Sequence, residues 1–185
     1  GYMVLKDGFQ EVGPLFDGVD WSQTKAFALG FSQIYFNVKG RDPNGIVSPG
    51  EVDILRHEIS NGLLAMADDF EGVAPVDKVF SAEEAFGAGL PYGPEMVVGL
   101  KPGYRFSWQT AMGAAPTYVF EDNLKAWSGD HIINATHVPG IIFSSRSLGV
   151  DQPSVYDIAP TVMKLFGLEK EPQMSGKNLF PANPS

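Results

Sequence analysis

Residues 33–68, QIYFNVKGRDPNGIVSPGEVDILRHEISNGLLAMAD, set the pattern of the fold with a strand, a turn and a helix in succession. The first six, QIYFNV, are rich in aromatic and β-branched residues and predict a strand. KGRDPNG then has the composition of a turn. Ser48 and Glu51 match a capping box with Pro49 at the first helical position, which predicts a helix from Pro49 to about Asp68. Apolar residues recur on one face of this helix and make it amphipathic: Val52, Leu55, Ile59, Leu63 and Ala67.

Strands and helices alternate along the rest of the chain, which predicts an α/β fold. Residues 33–108 are interpreted as a small α+β insertion between two core segments, residues 1–32 and 109–185. A second capping box at residues 81–84 predicts another, shorter helix. Further strands are predicted at residues 2–5, 25–29, 77–80, 95–100 and 138–144.

The closing helix is predicted over residues 154–166, SVYDIAPTVMKLF. Asp157 is the predicted cap, Pro160 falls in the first turn, and Gly167 ends the helix. From Glu169 onward the sequence is polar and rich in proline, and it predicts a tail. The apolar residues of the helix predict a buried face: Ile158, Val162, Leu165 and Phe166.

The composition excludes several classes of protein. The chain has 185 residues, of which 44% are hydrophobic and 19% charged, as expected of a globular domain. A formal charge of −9 argues against a nucleic-acid backbone as partner. No apolar run is long enough to predict a membrane span, so no membrane partner is expected. Because there are no cysteines, any metal site must use His, Asp or Glu. Nothing in these residues assigns a compartment.

The first residues, GYMVLKDG, lack an initiator methionine and already have an apolar, strand-like character. We therefore expect the chain to be a fragment of a longer protein.

The stretch WSGDHIINATHVPGIIF, residues 127–143, contains the candidate metal ligand, His131. Gly129 and Asp130 precede it in a pair suited to a tight turn, and the predicted strand 138–144 follows. A histidine on a loop beside a core strand is a candidate ligand, since neutral imidazole is a common one. The alternative is a turn in which His131 only hydrogen-bonds its neighbours, and spacing alone leaves both open.

Three stretches together resemble one family: YFNVKGRDPNGIV at 35–47, WSGDH at 127–131 followed by VPGIIF, and DIAPTVMKLFGL at 157–168. They look like the type I phosphodiesterase/nucleotide pyrophosphatase branch of the alkaline phosphatase superfamily. GYMVLKDG and residues 19–30, VDWSQTKAFALG, fit the same branch. The last of the three stretches is shared widely, including with sulfatases, whereas the first two narrow the resemblance to the phosphodiesterase-like branch.

The resemblance implies a mostly parallel sheet and two divalent metal ions, usually zinc, held by Asp and His residues beside a Thr or Ser nucleophile. His131 matches the last metal-ligating histidine of that pattern, whereas His57 and His137 match no ligand position. The nucleophile and the other ligand motifs are not found in this chain. The resemblance therefore predicts the C-terminal portion of an alkaline-phosphatase-like hydrolase that is catalytically incomplete alone. Its expected partners are the missing N-terminal half and a small phosphate-ester substrate.

Several assignments have alternatives. The complete protein is expected to be a phosphodiesterase or nucleotide pyrophosphatase, or else a phosphonate, sulfate or phosphomonoester hydrolase of the same superfamily. A non-catalytic binding module is the alternative from another class, with Tyr104 and Trp108 in its candidate contact surface. From the sequence, the segment that contains these two residues either lines a pocket by stacking or is a packed loop. Lys39 and Arg41 are interpreted either as an anion-binding pair or as residues of a solvated turn. For Asp130 the two interpretations are that it orients the His131 ring or that it caps the turn.

Overall fold

A computed structural model describes residues 1–87, 90–127, 129 and 132–180 of the chain. It divides into two compact units, residues 1–139 and 140–185, which we take in turn.

The first unit is built on a four-stranded sheet in the order β1-β2-β4-β3, with all three pairings antiparallel. In the β1–β2 hairpin, Ala26 lies opposite Phe36. The strand that arrives last, β4, lies between β2 and β3, with Met96 opposite Ile34 on one side. The strands are β1 (Ala26–Leu29), β2 (Gln33–Phe36), β3 (Val76–Ser81) and β4 (Met96–Leu100).

The predicted amphipathic helix is confirmed as a short 3-10 turn, Pro49–Glu51, that continues into α1 (Val52–Ala65). The capping box is formed, since the Ser48 amide donates to a Glu51 carboxylate oxygen over 2.9 Å. The helix ends three residues before the predicted Asp68. The second capping box, between Ser81 and Glu84, likewise opens the five-residue α2 (Ala82–Phe86).

Helix α1 packs on the sheet and closes the main core. Phe36 and Met96 are fully buried at its centre, and burying a side chain of that size stabilises the fold by about 1.5–3 kcal/mol. Leu55 and Ile59 supply the helix's contribution. The buried members of the core are Ala26, Phe36, Val47, Leu55, Ile59 and Met96.

Asn37, directly after β2, connects two loops, the one before β1 and the turn that contains Asn44. Its side chain is 2% exposed, and its amide nitrogen lies 3.0 Å from the Trp21 carbonyl, 2.9 Å from that of Thr24 and 2.9 Å from that of Asn44. Buried carbonyls need such partners, so the NVKGRDPNG stretch has a structural role here.

In the second unit, α3 (Ile158–Leu165) follows a 3-10 turn, Val155–Asp157. Asp157 occupies the N-cap position of α3, as predicted, but its side chain caps no amide of that helix and instead completes a capping box with Ser154. The Asp157 carboxylate accepts hydrogen bonds from the backbone amides of Lys177 (2.8 Å) and Ser154 (2.9 Å), which lower its pKa.

Residues 176–179 of the predicted tail pack against the start of α3 and the turn before it. The Thr161 hydroxyl donates to the Asp157 carbonyl over 2.6 Å and accepts from the Leu179 amide over 2.8 Å. Leu179 is only 2% exposed. Gly176 lies so close to the Tyr156 carbonyl that a Cβ there would be 1.9 Å from its oxygen. Asp157 and Thr161 of the DIAPT stretch thus fasten the polypeptide that follows the helix.

Two predicted strands do not form. Residues 138–144 are irregular, with Ile141 81% and Phe143 93% exposed, because no described strand lies alongside to pair with their backbone. At residues 2–5 the structure has only a single bridge, Leu5 to Val19, since the neighbouring amides and carbonyls bond the loop that precedes β1.

The predicted buried face of α3 is exposed. The exposed fractions of its four residues lie between 43% and 79%: Ile158, Val162, Leu165 and Phe166. The described part of the second unit contains no further α-helix and no strand that could pack on them. The apolar pattern correctly predicted the helix, but the prediction that its apolar face is buried was wrong.

The mixed α/β class is confirmed by these helices and this sheet. The mostly parallel sheet implied by the resemblance remains a prediction, and so does the division at residues 32 and 108. Strand β1 lies within the predicted segment 1–32 and pairs with β2 of the predicted insertion 33–108. Among the described residues, no helix has the length and apolarity that a bilayer span requires.

Replacing Asn37 by Ala is expected to destabilise the chain by about 2 kcal/mol or more, because one buried and two partly buried carbonyls lose their donor. Urea unfolding of the 185-residue chain measures this. Asn61→Ala, on the exposed side of α1, is the matched control and should be neutral or slightly stabilising. Equal effects of the two substitutions would contradict a structural role for Asn37.

Candidate functional site

The predicted metal ligand, His131, lies outside the described residues, together with its neighbour Asp130. The structure therefore leaves their roles as predictions. His57, interpreted as a surface residue, is exposed on α1 with its Nδ1 2.8 Å from the Asp53 carbonyl oxygen.

The segment directly after His131 is anchored to the sheet. Asn134 is 4% exposed, and its backbone amide donates to the Leu100 carbonyl at the end of β4 over 3.0 Å. Its side-chain amide nitrogen donates to a carboxylate oxygen of Asp77 on β3, and its side-chain oxygen accepts from the Thr136 amide over 3.2 Å. This last bond caps the 3-10 turn Ala135–His137.

His137 ends that turn and contacts the same carboxylate. Its Nε2 lies 3.0 Å from Oδ2 of Asp77. Because an ionised carboxylate only accepts hydrogen bonds, Nε2 must carry the proton, and the Asp77 side chain fixes the ring's tautomer and orientation. The hydrogen bond from Asn134, followed by that from His137, lowers the pKa of Asp77. Sequence reasoning missed this cluster because Asp77 is 57 residues away from Asn134.

Gly99 on β4 makes the close approach of this segment possible. A Cβ at position 99 would lie 3.0 Å from the Cβ of Asn134 and 3.2 Å from the Phe80 ring. A larger residue at position 99 would require Asn134 or the Phe80 ring to shift by a few tenths of an ångström.

The described residues do not by themselves form a metal centre. No three His, Asp or Glu side chains among them converge closely enough to hold an ion. A zinc site needs at least three protein ligands, and Asp77 with His137 supplies two groups that already bond each other. The two-metal site implied by the resemblance therefore does not fit the described residues alone.

Arg41, an anion-binding candidate in the sequence, is already engaged. Its guanidinium donates to the Glu95 carboxylate and the Phe36 carbonyl, and its Nε lies 3.1 Å from Asp42. Burial opposes the charge, but Glu95 and then Asp42 outweigh it and raise the pKa of Arg41. Arg41 therefore stabilises the fold through these contacts. Lys39, by contrast, is exposed on the surface.

A second candidate site is a cleft of about 810 Å³ in the first unit, lined by residues between 66 and 125. Tyr104 and Trp108 are both among its lining residues. The Tyr104 hydroxyl donates to Asp68 over 3.1 Å, and burial, followed by that bond, raises its pKa. Trp108 packs edge-on against Phe31, with ring centroids 5.2 Å apart.

Comparison of the chain with protein-family models, with curated proteins and with solved structures gave no match.

Replacing Asp77 by Ala is expected to release residues 132–138 from the sheet, because Asn134 and His137 lose their common acceptor. Hydrogen exchange should then be faster in this segment, while exchange in β1 and β2 stays unchanged. Asp69→Ala, an exposed aspartate on the loop after α1, is the control. Unchanged protection of residues 132–138 in Asp77→Ala would contradict the anchoring.

The same anchor is expected to weaken in acid. The pKa of Asp77 is lower in the folded state than in the unfolded chain, so its contribution to stability is complete above about pH 4. It is lost as the pH falls through the lowered folded-state pKa. The amide chemical shift of Asn134, followed by NMR from pH 6 downward, should report this transition, and Asp77→Ala should abolish it.

Proposed function

We propose that this chain is the C-terminal portion of a metal-dependent phosphoric-ester hydrolase, of the phosphodiesterase/nucleotide pyrophosphatase kind. The observation that carries the proposal is the order of three family-like stretches, at residues 35–47, 127–131 and 157–168. His131 would be one ligand of a centre with two divalent ions, zinc by resemblance. The nucleophile and the other ligands would come from the N-terminal part of the complete protein.

The anchored segment after His131 supports this proposal. A metal-binding side chain needs a backbone held within a fraction of an ångström by packing and hydrogen bonds. Asn134, three residues after His131, is buried and bonded at its backbone and at its side chain. His137 adds a further contact to the same Asp77 carboxylate. These bonds fasten the polypeptide that follows the candidate ligand.

The second unit also supports a larger assembly. Monomers rarely expose large continuous apolar surfaces, yet the apolar face of α3 and the neighbouring Tyr156 are open to solvent. A surface of this kind is expected where another part of a complete protein covers it.

The alternative from another class is a non-catalytic binding module. The cleft that Tyr104 and Trp108 line favours it, since its volume is typical of small-molecule sites. In this alternative His131 is a turn residue, and the activity of the protein is recognition of the cleft's ligand.

Hydrolysis of bis-p-nitrophenyl phosphate by the complete protein, expressed from its native coding sequence, tests the hydrolase proposal. Loss of a residue that only orients a metal ligand lowers affinity or activity about 10–100-fold, so His131→Ala should lower kcat/KM by about 100-fold or more. His57→Ala, an exposed histidine on α1, is the matched control and should keep full activity.

The substrate panel separates the members of the superfamily. p-Nitrophenyl phosphate, p-nitrophenyl sulfate and a phenylphosphonate monoester are assayed beside the diester. A preference for the diester supports the phosphodiesterase assignment. Full activity of His131→Ala, or no turnover of any of the four substrates by the wild-type protein, would contradict the hydrolase proposal.

A further inference from the structure

The cleft in the first unit has the dimensions and the lining of a ligand site. At about 810 Å³ it lies within the range of about 300–1,000 Å³ typical of small-molecule pockets. Aromatic side chains are unusually frequent on its walls. They are Phe70, Tyr104, Phe106, Trp108, Tyr118 and Phe120.

The charged groups of the cleft are predominantly acidic. Only Arg105 and Lys125 carry positive charge among the lining residues. Arg105 is already engaged, since its guanidinium donates to the Trp127 carbonyl over 3.3 Å. The lining carboxylates outnumber these cations and belong to Asp68, Glu71, Glu121 and Asp122.

Acidic groups and aromatic rings favour the same kind of ligand. The face of an aromatic ring is electronegative and attracts a cation, most strongly for Trp. Carboxylates around the rings add an attraction for positive charge and repel anions. The Trp108 ring already holds one cation, because the Arg105 guanidinium carbon lies 5.0 Å from its centre, so a bound ligand has the other aromatic rings of the cleft to contact.

We propose that this cleft binds a small organic cation of the quaternary-ammonium class. The ammonium group lies against the aromatic walls, and the carboxylates of Glu71 and Glu121, both exposed, supply the opposite charge. A simple phosphate anion is a poor occupant of the same space. The site uses neither His131 nor a metal, so it does not depend on the hydrolase proposal.

Choline is the test ligand, and 3,3-dimethyl-1-butanol, which has the same shape without the charge, is its matched comparison. Binding to the 185-residue chain is measured by isothermal titration calorimetry at low salt. Cation–π and charge contributions together predict that choline binds at least about fivefold more tightly than the alcohol. Added salt should weaken choline binding and leave the alcohol unaffected.

Two double variants locate the site. Glu71→Gln with Glu121→Gln removes two cleft carboxylates from exposed positions and is expected to weaken choline binding about threefold or more. Glu11→Gln with Glu83→Gln changes the net charge equally at exposed positions that do not line the cleft, and should leave binding unchanged. The glutamate pair is a cleaner test than Trp108→Leu, because the Trp108 ring contacts Phe31 and Arg105.

Three outcomes would overturn the proposal. Choline and the alcohol binding equally would show an apolar cavity without cation selectivity. Absence of choline binding at millimolar concentration would show that the cleft is not a cation site. Equal weakening by the two double variants would show a general charge effect instead of a local one.

Discussion

The fold of the first unit depends on a buried carboxylate, that of Glu95, at the entry to β4. One of its oxygens accepts a hydrogen bond from the Phe36 amide over 2.6 Å, and the other accepts one from the Arg41 guanidinium. The same guanidinium also donates to the Phe36 carbonyl. Glu95 is 8% exposed, and removing one partner of a buried ion pair typically costs about 3–5 kcal/mol. The pair therefore joins the end of β2 to β4, where Phe36 enters the core.

Strand β4, which this pair holds in place, contacts both the anchored segment 132–138 and the cleft. Leu100 ends β4, accepts the amide of Asn134 and also lines the cleft. Asp77 on the neighbouring β3 completes the anchor of the segment after His131. A change in the β2–β4 register would thus disturb the anchored segment 132–138 and the cleft together.

The sequence predicted local structure well and tertiary partners poorly. The capping box of Ser48 and the apolar period of α1 depend on neighbours within a few residues, so they were readable from the sequence. The predictions of a strand at 138–144 and of a buried face on α3 were wrong. Apolar side chains in a sequence do not indicate which other element, if any, packs against them. The Asp77–Asn134 and Arg41–Glu95 contacts join residues 57 and 54 positions apart, and no local pattern marks such pairs.

Intact mass and metal content, measured on the protein produced from its native coding sequence, distinguish the hydrolase proposal from the binding-module alternative. The hydrolase proposal predicts a chain heavier than the 20.0 kDa of these 185 residues, with about two divalent ions, zinc by resemblance, bound per molecule. A native product with the mass of this chain alone and no bound metal would contradict it. In that case His131 would be a turn residue, and the cleft would be the functional site.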